Sequence, residues 1–444
     1  RTDMGWLGMR WLGTFVLVLF TVPASAQVLN YDEIFKTPNL TGDWGGERPK
    51  LEDIGLELGG DEILETLGNA DAGMRQGTVV EGRLELFANV DMAKAFGLAG
   101  LIFHANAYQI HGEGLTSRYL GNLITVSNIE APPSTRLFDL WFQQSLFNDA
   151  VSLRVGQIAA DDEFFVSQYA PLFISSTFGW PAIMGINLPS GGPAYPVARP
   201  GARVRVAVSS DLSLQAALFS GDREIDPTGF DFETNGDLFA ISELAYNTKL
   251  FDLPASLKLG GWIHTGKFAD QRFDSMHVSL ASPASNGIPD EHRGDYGGYF
   301  ILDQLLWRKD GASDTGLGGF IRVGGNPSDR NLIELHMDGG FTYAGPFGRD
   351  SDTIGIGFSY EQVSAGQRDL AADFGVLSGF VPPEPDFESV LEVSYQAQVA
   401  SWWIIQLDLQ WVIHPGGRVL NLSNPRASLG EGAVVLGLRT AISL

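Results

Sequence analysis

Residues 402–413 read WWIIQLDLQWVI. Trp403, Ile405, Leu407, Leu409, Trp411 and Ile413 form an apolar row, and Gln406, Asp408 and Gln410 stand between them. A period of two belongs to a β-strand, here with one face suited to oil and one to water. The two tryptophans fall near the ends of the apolar row. Eight residues at ~3.3 Å each, tilted by ~40°, cover roughly 20 Å. The apolar band of an outer-membrane barrel has about this height and is edged by aromatic girdles. A half-buried strand of a soluble sandwich alternates in the same way, so the rest of the chain has to choose between the two.

Arg10 followed by the uncharged run from Trp11 to Ala26, closing on Ala24-Ser25-Ala26, has the form of a secretory signal peptide over residues 1–26. Its apolar core is short for a spanning helix, and no later stretch approaches the ~20 apolar residues that one needs. A membrane protein of this sequence must therefore cross with strands. The 444 residues include 54 Gly and no Cys and carry a net charge of −24. The acidic balance argues against nucleic-acid binding, which needs a basic face. Without cysteine there is neither a disulfide framework nor a thiolate metal site. No Pro- or Ser-rich linker splits the chain, so the expected division is a signal peptide (1–26), a polar N-terminal periplasmic segment (27–50) and one barrel (51–444).

The lead-in ends on Thr41-Gly42-Asp43-Trp44-Gly45-Gly46-Glu47-Arg48, whose glycines demand tight turns. Alternating runs then follow one another. In residues 80–91, Leu84, Leu86, Ala88 and Val90 oppose Arg83, Glu85, Phe87 and Asn89. Leu101, Phe103, Ala105 and Ala107 restart the row, with His104 and Asn106 on the wet face. Residues 137–147 and 151–157 make the next pair; Val151, Leu153 and Val155 face one way, Ser152 and Arg154 the other. From Phe164 to Pro200 alternation stops. So long a stretch without regular structure is usually functional or disordered, and its four Phe, one Trp and two Tyr make it too apolar for disorder. The expectation is a loop folded into the barrel and narrowing it, with an external loop over the mouth as the alternative. Further alternating runs, beginning with Arg203 and Arg205 opposite Val204 and Val206, lead to a close on Val434, Leu436, Leu438, Ile442 and Leu444.

The octapeptide 41–48 matches residue for residue the T-G-[DN]-W-G-G-x-R motif of the carbohydrate-selective porins, the OprB family, which this chain resembles. Gly156-Gln157, the acidic cluster Asp161 to Glu163, Ser175 to Gly179 and Tyr195 to Val197 resemble further elements of that family in the same order. The resemblance implies an all-β, transmembrane antiparallel β-barrel of 16 strands with long outer loops and short periplasmic turns. It also implies a narrow eyelet with charged residues, arginine among them, passing glucose and related sugars across the outer membrane of a Gram-negative bacterium. Counting alternating runs alone gives between twelve and eighteen strands. The terminal residue, Leu444, departs from the Phe on which most such barrels end.

Closure follows from physics, since an unpaired backbone group in lipid costs several kcal/mol. Sugars are neutral polyols with apolar C–H faces, so a site that passes them offers fixed hydrogen-bonding charges and aromatic planes. On face and location, the pore-lining candidates are Arg83, Glu85, Arg154, Arg203, Arg205 and Asp408, with Trp180, Tyr195 and Trp262 for stacking. Expected partners are small hydrophilic solutes, outer-membrane lipid and lipopolysaccharide, and the barrel assembly machinery; monomer and trimer stay open. The chain lacks G-x-S-x-G, H-E-x-x-H, P-loop and G-x-G-x-x-G motifs. Its seven histidines show no metal-ligand spacing, so neither enzyme nor cofactor is expected. Two other readings remain: a porin for other small solutes, and a secreted soluble β-protein that binds carbohydrate.

Overall fold

The computed structural model describes residues 37–221, 228–230, 236–309, 316–420 and 429–444. The expected signal peptide and residues 27–36 lie outside it. Sixteen strands form a single closed antiparallel barrel in sequence order, β1 meeting β16. They are β1 (Leu56–Asp71), β2 (Gly77–Asp91), β3 (Leu101–Gly112), β4 (Ser134–Leu146), β5 (Val151–Ile158) and β6 (Arg199–Ala207). Next come β7 (Leu212–Ser220), β8 (Leu238–Leu250), β9 (Leu253–Asp274), β10 (Pro289–Arg308) and β11 (Gly316–Gly325). The last are β12 (Ile333–Ala344), β13 (Thr353–Val363), β14 (Phe387–Ala400), β15 (Trp403–Ile413) and β16 (Gly432–Ser443). The seam is sealed by a continuous register from Asp61↔Ser443 to Asn69↔Val435. Among the described residues no sheet edge is left open to lipid, as a spanning sheet requires.

β15 behaves as its alternation dictates. Leu407, Leu409 and Trp411 stand exposed on the outer surface, while Gln406, Asp408 and Gln410 are buried on the inner one. The same division holds in β2, where Leu86 is exposed outside and Arg83 and Glu85 line the interior. No helix among the described residues is long and apolar enough to cross a membrane, which leaves the crossing to the strands.

Two strands run well beyond the alternating segments that betray them. β9 and β10, of 22 and 20 residues, extend past His264 and Tyr296 at the end of the barrel that carries the long connections. There the residues of both faces are largely polar, such as Lys267 with Glu291 at 2.7 Å, although Phe268 and Asp274 are buried, so the apolar–polar contrast of period two fades while pairing continues. The helix Ala365–Ser378 caps the same end, held by Arg272 against Asp369 (2.6 Å) and Asp373 (2.8 Å).

At the opposite end the octapeptide finds its structural meaning. Asp43 Oδ1 accepts from the Gly45 amide at 3.0 Å, shaping the turn that opens the helix Glu47–Asp53. The Arg48 guanidinium lies 4.3 Å from the Trp44 ring and donates to the Leu444 carbonyl at 2.9 Å. Leu40 N–H donates to Ser443 O at 2.8 Å. The segment before β1 is thus tied to the last residues of β16, directly under the seam.

Candidate functional site

The bore of the barrel is not empty. Residues 159–198, joining β5 to β6, turn inward and are pinned by side chains on the inner faces of many strands. Glu392 on β14 accepts from the amides of Ile174 (2.6 Å) and Ser175 (3.0 Å). Glu243 on β8 accepts from Phe165 N–H at 3.1 Å, and Glu361 on β13 from the Thr177 hydroxyl at 3.2 Å. Lys258 on β9 donates to Val166 O at 2.6 Å, and Gln406 on β15 to Leu172 O at 2.6 Å. Arg322 on β11 is fully buried; it pairs with Asp338 and donates to the carbonyls of Phe165 (2.8 Å), Thr177 (2.8 Å) and Gly179 (3.2 Å). Buried backbone groups of an irregular segment need partners, and the inner wall supplies them.

Apolar packing supplements these bonds. Phe164, Phe165, Ile183, Met184 and Leu188 form a core with the inward faces of Phe219, Phe239, Trp262, Tyr299 and Ile301. Phe165 stacks on Tyr299 with centroids 4.0 Å apart. Glycines on β11 and β13 clear the space: a Cβ on Gly318 would lie 2.0 Å from the Tyr169 ring, and one on Gly357 2.8 Å from Phe178. A second segment, residues 113–133, enters beside the first. Glu388 accepts from the amides of Leu123 and Ile124, both at 2.7 Å. The two segments bind each other through Asn128 N–H to Ile174 O (2.8 Å) and Ser176 N–H to Thr125 O (3.1 Å). Sequence reasoning missed this second segment. Its one available signal was some twenty residues without alternation, rich in Gly, Ser and Asn.

Two of the cavities left open among the described residues share a lining residue. One, of about 530 Å³, is lined by Arg83, Tyr108, Glu130, Trp180, Tyr195 and Arg439, with Asp161 and Asp162 at its floor. The other, of about 780 Å³ toward the short turns, is lined by Arg154, Glu163, Arg203, Arg205 and Lys258. Asp162 belongs to both and its side chain is exposed to the bore.

The charges here are mutually braced. Arg83 sits 4.7 Å from the Tyr108 ring, 5.8 Å from the Tyr195 ring and 3.5 Å from Glu85. Glu85 also accepts from Asn106 at 2.8 Å. Glu163 holds two guanidinium groups at once, Arg154 at 2.8 Å and Arg203 at 2.7 Å, while Arg154 covers the Trp141 ring at 4.0 Å. Burial pushes the Asp161 carboxyl up to about 7, and the neighbouring Asp162 adds to the push. Asp162 is also raised, the surrounding protein again leading, with Arg154 opposing it.

Of the nine residues singled out from the sequence, seven line these two cavities or brace the residues that do. Trp180 borders the first and donates from Nε1 to Gly191 O at 2.9 Å; Tyr195 donates its hydroxyl to Ile129 O at 2.9 Å. The other two face inward but lie under the folded segments. Trp262 is 3% exposed and packs beside Tyr299. Asp408 is buried and accepts from Ser394 (2.5 Å) and Gln410 (3.0 Å). Neither borders the two cavities. Among the described residues no group of three or more His, Asp or Glu is placed to hold a metal ion.

Residues 75–444 match the protein family described as carbohydrate-selective porin, OprB family. Porin B of Pseudomonas aeruginosa is 25% identical over 407 residues, covering 85% of this chain and 87% of that protein. The high-pH structure of Pseudomonas putida OprB superposes with a TM-score of 0.82 at 22% identity, covering 92% of this chain and 99% of that one.

Proposed function

The chain belongs to the OprB family of carbohydrate-selective porins, and from that membership we propose that its sugar selectivity is set where residues 159–198 narrow the bore. It is an outer-membrane porin for sugars, with a closed barrel of sixteen strands. The carrying observation is that Asp162 lines the cavity on either side: a solute moving between them passes this carboxylate. Arg83 stands with the first cavity, Arg154 and Arg203 with the second, so a polyol meets a forked donor set and a carboxylate acceptor in succession. Such groups exchange a hydroxyl's water shell for fixed partners without holding it tightly. Tyr195 serves as the bed of Arg83 and Trp180 as a half-buried wall. The long connections face the outside, residues before β1 lie in the periplasm, and β16 carries the outward row that the assembly machinery reads. Outer-membrane lipid and lipopolysaccharide surround the wall.

Two experiments test this reading. In planar bilayers, glucose is expected to reduce the single-channel potassium current reversibly, and Asp162→Asn to weaken that block several-fold. A wild-type current indifferent to glucose would refute selection at this point. Ion selectivity reads the same carboxyls. Asp161 and Asp162 are neutral in acid and charged in alkali, with pKa values shifted upward to about 7 and about 6, so negative charge enters the bore as pH rises through that range. The cation-to-anion permeability ratio, taken from reversal potentials in a salt gradient, is expected to rise across that window. The rise should vanish in Asp161→Asn/Asp162→Asn.

A further inference from the structure

Three of the short turns carry a phenylalanine in a backbone conformation that favours glycine. Phe147 has a φ of 55°, Phe251 of 53° and Phe347 of 56°. β8 and β9 are joined by Phe251-Asp252 alone, both at positive φ, next to the pair Leu250↔Leu253. Asn-Gly is the relaxed choice for such a two-residue turn, and a bulky side chain there is strained. Packing does not offset that strain, since Phe251 is 95% exposed, Phe347 83% and Phe147 76%. Phe96, which ends the short helix Met92–Phe96 between β2 and β3, is exposed as well. Neither the turn geometry nor the interior of the barrel asks for these four rings.

Their placement points to what they meet. The turns that carry them follow β2, β4, β8 and β12, so they are spread around the barrel. Phe347 shows the direction: its ring stands edge-on to Tyr395, with centroids 6.0 Å apart. Tyr395 lies across the sheet from Leu407, which is exposed on the outer surface. Tyr246 and Trp307 are exposed near the same end of the barrel, and Trp307 lies 6.2 Å from the Tyr343 ring. These residues form an aromatic border to the apolar band, and the turn phenylalanines come at or just beyond it.

We propose that Phe96, Phe147, Phe251 and Phe347 anchor the periplasmic rim in the inner leaflet of the outer membrane, where acyl chains meet headgroups. A lipid surface is the fitting occupant for two reasons. It surrounds the barrel, so rings several strands apart reach it together, whereas a periplasmic protein would meet one side. The outward rows above the rings already face hydrocarbon, and Phe347 continues one of them through Tyr395. Polar residues follow the rings along the chain, Asn148-Asp149, Asp252 and Arg349-Asp350, as suits a boundary between oil and water. Removing the rings from water offsets the strain of the turns. This inference needs only the spanning barrel and is independent of the sugar path.

The chain has no cysteine, so one introduced thiol can carry a nitroxide. With the mature protein in liposomes of phosphatidylethanolamine and phosphatidylglycerol, the label on Phe251→Cys is expected to collide with oxygen several-fold more often than with a water-soluble nickel chelate. Leu259→Cys, at an exposed site on the outward face of β9, supplies the acyl-chain standard. Ser378→Cys, at the exposed end of the helix Ala365–Ser378, supplies the aqueous one. A label on Phe251→Cys as open to nickel as that on Ser378→Cys would overturn the proposal. Urea unfolding from the same liposomes gives an independent sign, because Phe251→Gly removes the strain and the ring together. Loss of lipid contact is expected to lower the midpoint. A ring in water would leave only the relief of strain, so a midpoint unchanged or raised would also overturn the proposal.

Discussion

Arg322→Met is expected to cost the folded barrel ~3–5 kcal/mol, since removing one member of a buried pair leaves the other charge uncompensated. Here that charge is Asp338, whose side chain is fully buried and would keep only His336 Nε2, at 3.5 Å, as a partner. The same substitution strips three carbonyls of residues 159–198 of their donor. Two readouts therefore move together. The temperature of the heat-modifiable gel shift should fall, and single-channel current should become larger and noisier as the segment loosens. Arg322→Met/Asp338→Leu separates the two effects. Replacing a buried pair with apolar groups is often neutral or stabilising, so the transition temperature should recover, while the carbonyls stay unpaired and the noisy current persists. A double variant with a quiet, wild-type current would show that Arg322 does not pin the segment.

Arg83→Ala is expected to weaken glucose block about tenfold, the loss of one hydrogen-bonding charge worth ~1.5–3 kcal/mol in part replaced by water. Open-channel conductance should rise, because the guanidinium resting on Tyr108 and Tyr195 leaves the first cavity. Arg83→Lys keeps the charge but not the fork, and should restore ion selectivity more fully than sugar block. Trp262→Ala serves as the contrasting case. Its ring is buried away from the solute path, so ~3–5 kcal/mol of stability should be lost with block by glucose unchanged in the molecules that fold.

The strands were legible wherever one face meets oil and the other water. β15 and β2 announce themselves because Leu409 and Gln410, or Leu86 and Glu85, live in different solvents. β8 is harder to read, because Phe239 and Ile241 face inward into the core beneath residues 159–198 while Leu244 faces outward; both faces are greasy. The far ends of β9 and β10 fail for the converse reason, both faces being largely polar in sequence. At the site, strand parity was enough to turn Arg83, Glu85, Arg154 and Arg203 inward. It could not say what would cover an inward residue. Asp408 and Trp262 have the right parity and the wrong neighbours, since the segments that bury them lie more than sixty residues away in sequence. Asp161 and Asp162 were visible as an acidic cluster, but adjacent carboxylates in a loop are usually just solvated. Only the fold of residues 159–198 brings them to the floor of the first cavity.

The central claim is that a sealed barrel passes sugars through a bore narrowed from within. Osmotic swelling of liposomes holding the purified mature protein tests it most directly, with sugars and amino acids of matched size as paired solutes. Faster swelling in the sugars, with the difference shrinking in Arg83→Ala, is the result this account predicts. Equal rates for both solutes, or liposomes no leakier than protein-free ones, would contradict it.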